Sequence, residues 1–197
     1  MSAKRGALLR KIQQRLERFY ALELGLDVLD FVQELEDESH RESLLVRELP
    51  DSVELALLLP KRLVENDRTD DADSLMQALE GVSHFVYLSE RVRTGLPTTK
   101  LELELQAEVD KFVLLALEGK PRDARACALI REKLFEQVSF LHAPESEDGE
   151  RYRLANALAA RFVGRLDPEA GVAALRERLR RFYRAGQAEK IHLARAA

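Results

Sequence analysis

The sequence predicts a mainly α-helical fold, a single-domain bundle of about six to eight helices that spans residues 1–197. Along most of the chain, apolar residues recur every three or four positions, which is the spacing of the buried side of a helix. Leu, Ala, Glu and Arg are abundant, and all four favour helices. The helical spacing is lost near residues 43–59, where we predict one small β-hairpin.

The amino-terminal part of the chain contains two predicted helices. The first runs from about residue 5 to Leu24 and ends at Gly25, because glycine favours the left-handed conformation that follows many helices. The second helix is short. Asp27 caps it, with Asp30 at the reciprocal position of the cap, and the acidic run 36–38 ends it.

The predicted hairpin consists of residues 43–49 and 53–59, which flank a Pro-Asp-Ser turn. Pro60 favours an extended conformation in the residue before it, which supports a strand there. A helix that begins at Asp51 is the alternative, because Leu and Ala form strands poorly. A lone hairpin is marginal in water, so this one needs a helical layer to lie on.

Two central helices carry the longest apolar periodicity, from Leu75 to Glu118, and the connector 94–99 joins them. Polar residues 65–73 precede them as a loop, whose last aspartates favour the start of the first central helix. Farther along the chain, breaks at Gly and Pro separate four more predicted helices. These span residues 122–141, 150–166, 167–186 and 187–195.

The central helices also carry a candidate polar site. In the first helix, Glu80, His84 and Tyr87 lie on one ridge, on the side opposite to the apolar residues. In the second helix, Glu108 projects from inside an apolar stripe and Glu104 lies one turn before it, at the edge of that stripe. A carboxylate in such a place must find a partner or take up a proton, because an isolated buried charge costs several kcal/mol.

Two interpretations of this candidate site stay open. Glu80 and His84 lie one turn apart, as do Glu104 and Glu108, so the two helices can bring four ligands together around a divalent metal such as manganese, iron or zinc. The simpler interpretation is a solvated ridge on the first helix and one satisfied buried glutamate on the second. We predict no cofactor, because Glu80 and His84 lie opposite their own helix's apolar side.

A second candidate surface, for binding a partner, lies on the helix predicted over residues 167–186. Four arginines surround its polar side, namely Arg176, Arg180, Arg181 and Arg184. Such a basic amphipathic helix suits an acidic partner, RNA or an anionic membrane, or else a solvated side that pairs with the protein's own acidic middle. Residues 21–80 sum to a charge of −12, whereas residues 1–20 and 172–197 each sum to +5.

Composition argues against several functions. With a net charge of −4, the chain lacks the basic excess of a specific nucleic-acid binder. Cys127 is the only cysteine, which excludes an intramolecular disulfide, and its apolar neighbours predict a buried side chain. The sequence has neither a signal peptide nor an apolar run approaching the roughly 20 residues of a membrane span, so we expect a cytoplasmic protein with no transmembrane segment. The common nucleotide-binding and hydrolase motifs are absent as well.

The residues therefore predict a soluble helical protein that acts by binding, as an interaction or adaptor protein whose partner is another protein. Association with a second copy of the same chain is a further expectation. The alternative is a metal-binding enzyme with the carboxylate and histidine site on the two central helices. The sequence by itself identifies neither a partner nor a substrate.

Overall fold

The computed structural model describes residues 1–35, 41–50, 52–65, 72–117, 124–167 and 171–196. These residues form eight α-helices and one three-stranded sheet, so the fold is mainly α with a small β element, as predicted. They group into two compact units, Met1–Leu96 and Pro97–Ala197, and the division falls inside the predicted connector 94–99. The expectation that all of the chain is one domain stays a prediction.

The first unit contains the sheet and three of the described helices. In chain order its elements are α1 (Ala3–Tyr20), β1 (Val32–Leu35), β2 (Ser43–Leu49), β3 (Ser52–Pro60), α2 (Lys61–Glu65) and α3 (Ala72–Arg93). The α1 helix begins after Ser2, whose hydroxyl accepts a hydrogen bond from the Arg5 N–H at 3.3 Å. It ends when Ala21 adopts a left-handed φ of 56°, four residues before the predicted end at Leu24.

The sheet has the strand order β1-β3-β2. The β2 and β3 strands pair antiparallel with Leu49 opposite Ser52, which confirms the predicted hairpin and removes the helical alternative. The β1 strand pairs with β3 in parallel, with Val32 opposite Leu57. Both outer strands are therefore tied to one central strand.

The prediction of a short helix after Asp27 is wrong. Asp27 does act as a cap, since its side chain accepts from the Leu29 N–H at 3.0 Å, but it caps only a 3₁₀ turn over Val28–Asp30. The chain then becomes β1, because the Leu57 N–H donates to the Phe31 carbonyl at 2.8 Å and the parallel ladder follows. The acidic run 36–38 lies outside the described residues.

The α3 helix packs closely on the sheet at Gly81. A Cβ atom at this position would lie 3.1 Å from Leu57 Cδ1, 3.5 Å from Leu59 Cδ2 and 3.6 Å from the Cβ of Glu42. A larger residue would therefore require Leu57 to shift or the helix to move away from β3. On the same helix Phe85 is fully buried, and its ring lies 5.0 Å from that of Phe31.

The second unit is entirely helical over its described residues. Its helices are α4 (Lys100–Phe112), α5 (Ala124–Phe135), α6 (Glu147–Gly164), α7 (Val172–Arg184) and α8 (Gln187–Arg195), and one π-helical segment (Val113–Leu117) follows α4. A capping box starts α4, because Thr99 accepts from the Glu102 N–H while the Glu102 carboxylate accepts from the Thr99 N–H. The four predicted helices after residue 120 are all present.

Some ends of these helices differ from the prediction. The α5 helix stops at Phe135 rather than at Leu141, whose side chain is 68% exposed. It closes where the N–H groups of both Glu136 and Gln137 donate to the Glu132 carbonyl. The predicted start of α7 at residues 168–169 lies outside the described residues.

A buried lysine connects three helices of the second unit. Lys190 of α8 is fully buried, and its ammonium donates to Gln106 Oε1 of α4 at 2.5 Å and to the Phe182 carbonyl of α7 at 2.8 Å. The same ammonium lies 4.3 Å from the centroid of the Phe182 ring. Gln106 donates in turn to Asp110 at 2.8 Å. These contacts compensate the desolvation of the charge and fix α8 against its neighbours.

We expect Gly81→Leu to lower the free energy of unfolding by about 1–3 kcal/mol, because the new side chain overpacks the contact with Leu57 and Leu59. The better helix propensity of leucine offsets part of this loss, by somewhat under 1 kcal/mol. Urea unfolding followed by circular dichroism measures the change. Gly164→Leu is the control, because that glycine is exposed and a Cβ there makes only an ordinary contact. A Gly81→Leu protein as stable as the wild type would contradict the close packing.

Candidate functional site

The polar ridge of α3 is buried, so its interpretation as a solvated surface is wrong. Glu80 is 8% exposed, Arg91 is 5% exposed and Tyr87 is fully buried, while His84 is half-buried. The Arg91 guanidinium carbon lies 5.6 Å from the centroid of the Tyr87 ring. A carboxylate, an imidazole and a guanidinium thus share an environment where charge interactions are stronger than in water.

Glu80 and His84 lie as close together as their spacing predicts. An oxygen of Glu80 and a ring nitrogen of His84 are within 4.8 Å of each other, because one helical turn separates the two residues. Both belong to the first unit, whereas Glu104 and Glu108 belong to the second. The predicted convergence of all four ligands therefore stays a prediction.

Glu42, which precedes β2, is a functional candidate that the sequence reasoning missed. Its side chain is only 4% exposed, and its Oε2 atom has no hydrogen-bond partner in the part of the chain that the structure describes. The guanidinium of its neighbour Arg41 lies close by, with Nε 3.7 Å from that oxygen. Since Leu44 pairs with Leu57 and strand residues alternate, Glu42 lies on the side of the sheet that faces α3.

The surroundings of Glu42 favour its protonated form. Burial, and after it the negative charge of Glu80, raise the pKa of Glu42 to about 8, although the charges of Arg41 and His84 act in the opposite direction. Near neutral pH this carboxyl group therefore keeps a proton that an exposed glutamate would lose. Arg41 divides its charge between Glu42 and Asp73, because its Nη1 also lies 3.2 Å from Asp73 Oδ1.

The two glutamates predicted on the second central helix both lie near cations of the second unit. Lys111 Nζ donates to Glu108 Oε1 at 2.9 Å, and the Glu108 side chain is 15% exposed. Glu104 is 8% exposed, and Arg151 Nε lies 4.0 Å from its Oε1. The expectation that a carboxylate among apolar neighbours finds a partner is met at Glu108.

The four arginines predicted as a partner-binding surface line one groove of the second unit, between α7 and α8. Arg176, Arg181 and Arg184 are exposed and Arg180 is half-buried. The groove has a volume of about 770 Å³, and Glu177 and Glu189 also line it. Arg181 Nη2 lies 3.4 Å from Glu189 Oε1, so Arg181 has a carboxylate partner across the groove.

The other side of α7 is fixed in the core of its unit. Leu179 and Phe182 are fully buried and Tyr183 is 3% exposed. The Phe182 ring stacks on that of Phe162 with centroids 3.9 Å apart. The arginines therefore project from a helix whose position is set by its apolar side.

Comparisons with protein-family models, with curated proteins and with solved structures give no match for this chain. Within the described ranges, none of the helices combines the length and the apolar character needed to cross a membrane. Cys127 is buried, as predicted, and its sulfur lies 3.9 Å from the Ala116 carbonyl. The acid and histidine cluster and the arginine groove are thus the two sites from which a function can be argued.

We expect the stability of the protein to fall between about pH 4.5 and pH 8 because of Glu42. The unfolded chain loses this proton near pH 4.5, whereas the folded protein keeps it up to about pH 8, so the folded state binds more protons in this window. Glu42→Gln removes the effect. Relative to wild type, it should change stability little at pH 4.5 and raise it at pH 8 by an amount on the order of 3 kcal/mol.

Urea unfolding at both pH values, in the presence of a chelator, measures this difference. Glu48→Gln is the matched control, because Glu48 is an exposed residue of β2. Parallel pH profiles for the wild type and Glu42→Gln would show that Glu42 titrates as an ordinary exposed acid.

Proposed function

We propose that this chain is a protein-binding module whose groove between α7 and α8 takes an extended, acidic segment of a partner protein. The observation that carries the proposal is that Arg176, Arg180, Arg181 and Arg184 line a single groove. Guanidinium groups hold carboxylates through paired N–H donors and stay charged at any physiological pH. A segment rich in Asp or Glu is the complementary ligand.

The spacing of the arginines fits an extended ligand. Arg176, Arg180 and Arg184 follow each other at four-residue intervals, so successive side chains are about 6 Å apart along the helix axis. In an extended peptide, side chains on one side recur every second residue, which is about 6.7 Å. A partner with acidic residues at alternate positions therefore places one carboxylate near each arginine.

The surroundings of the groove favour a protein over a membrane. An amphipathic helix binds a bilayer by inserting its apolar side, but Leu179 and Phe182 of α7 are fully buried in the unit. Only the polar side of α7 is available to a partner. A flat anionic surface also fits poorly against a concave groove that contains Glu177 and Glu189.

The same two glutamates argue against a nucleic acid. A continuous phosphate backbone would pass both of them, and each would repel it. A peptide can instead place neutral or basic side chains opposite Glu177 and Glu189 and acidic ones opposite the arginines. The net charge of −4 for the whole chain agrees with this preference.

We expect the wild-type protein to bind an octapeptide in which Glu and Ser alternate, and to bind it more tightly than an octapeptide of the same composition with its four Glu residues in one block. Reversal of two arginines, in Arg180→Glu with Arg184→Glu, should weaken binding of the alternating peptide by about tenfold or more, because two attractive contacts become repulsive. Fluorescence anisotropy of the labelled peptides at constant ionic strength measures both differences.

Arg161→Glu is the control, because it makes the same change of charge at an exposed position of α6 outside the groove. Equal binding by the double variant and the wild type would overturn the proposal. Tighter binding of a single-stranded RNA or of anionic phosphatidylserine vesicles than of the alternating peptide would assign the groove to that class of partner instead. Melting temperatures of all variants show whether a loss of binding reflects a loss of folding.

A further inference from the structure

We propose that Glu42, Glu80 and His84 of the first unit form a binding site for a first-row divalent cation. The inference is independent of the arginine groove, because all three residues belong to the other unit. It extends the pair Glu80 and His84 by a third ligand from the start of β2. Two carboxylates and one imidazole are a donor set that Zn²⁺ and Mn²⁺ accept.

The geometry of the first unit brings Glu80 and His84 together and places Glu42 beside the same turn of α3. Glu80 and His84 flank Gly81 on α3 and have ligand atoms within 4.8 Å of each other, a separation that side-chain rotation reduces to the about 3–4 Å between two ligands of one cation. Glu42 approaches the same turn of the helix, because its Cβ would lie 3.6 Å from a Cβ at Gly81. The absence of a side chain at Gly81 leaves this space to the ligands.

The burial of Glu42 and the missing hydrogen bond at its Oε2 atom point independently to a ligand. A buried carboxyl oxygen without a hydrogen bond costs free energy, and the Glu42 side chain is 4% exposed with Oε2 in that condition. Arg41 gives only partial compensation, since its Nε is 3.7 Å away and its Nη1 contacts Asp73. A cation within bonding distance of Oε2 would remove this cost.

The charges around Glu42 are consistent with a divalent ion. Glu80 and His84 face it from α3, and Arg41 faces it from its own segment. A divalent cation balances the negative charge of both carboxylates.

The test is a titration of the full-length protein with Zn²⁺, and separately with Mn²⁺, after treatment with a chelator and its removal. We expect one saturable site per chain by isothermal titration calorimetry. Glu42→Gln should weaken the affinity at least tenfold. Glu48→Gln should bind like the wild type, because it changes an exposed acid of β2, the strand that follows Glu42.

Glu80→Gln and His84→Gln test the other two ligands by the same titration, and each should weaken binding at least tenfold. These two variants still test the site if Glu42→Gln does not fold, as judged by its melting temperature without metal. The proposal is overturned if the wild type binds neither ion at millimolar concentration, or if the ligand variants that fold bind as tightly as the wild type. Binding through surface histidines would give that second result, because it survives all three substitutions.

Discussion

The close approach of α3 to the sheet at Gly81 is the constraint on which the first unit depends. Because Gly81 has no side chain, Leu57 and Leu59 of β3 reach the helix backbone, and Glu42 at the start of β2 does the same. The residues on either side of this contact along the helix are then held beside the sheet. A packing requirement of the core therefore also determines which polar residues lie near the candidate cation site.

Periodicity predicts those parts of the fold that depend on local interactions. The helices and the hairpin follow from side-chain spacing and turn residues, which act within a few positions of each other. The segment after Asp27 carries a helix signal because its cap is a local feature. The parallel pairing of β1 with β3 instead joins residues that are 25 positions apart, such as Val32 and Leu57. A short stretch of sequence covers only one of these two strands, so it carries no signal for their pairing.

The same distinction explains which site residues could be predicted. Glu80 and His84 are neighbours on one helix, and so are Arg176, Arg180 and Arg184, so helical geometry alone places each set on one side. From the sequence alone, Glu42 is indistinguishable from an ordinary surface acid. Its position beside α3 becomes apparent only from strand alternation and from the packing of that helix on the sheet.

The two sites differ in how strongly their surroundings act on a charge. The arginine groove is open to water and salt, so its affinity must come from several weak contacts and will decrease as ionic strength rises. Glu42 is buried, so the gain or loss of one charge there strongly changes the electrostatic energy of the groups around it. A leucine at position 42 would fill similar space without this cost. We therefore expect the acid to lower the stability of the metal-free protein, and a cation bound at Oε2 would offset that cost.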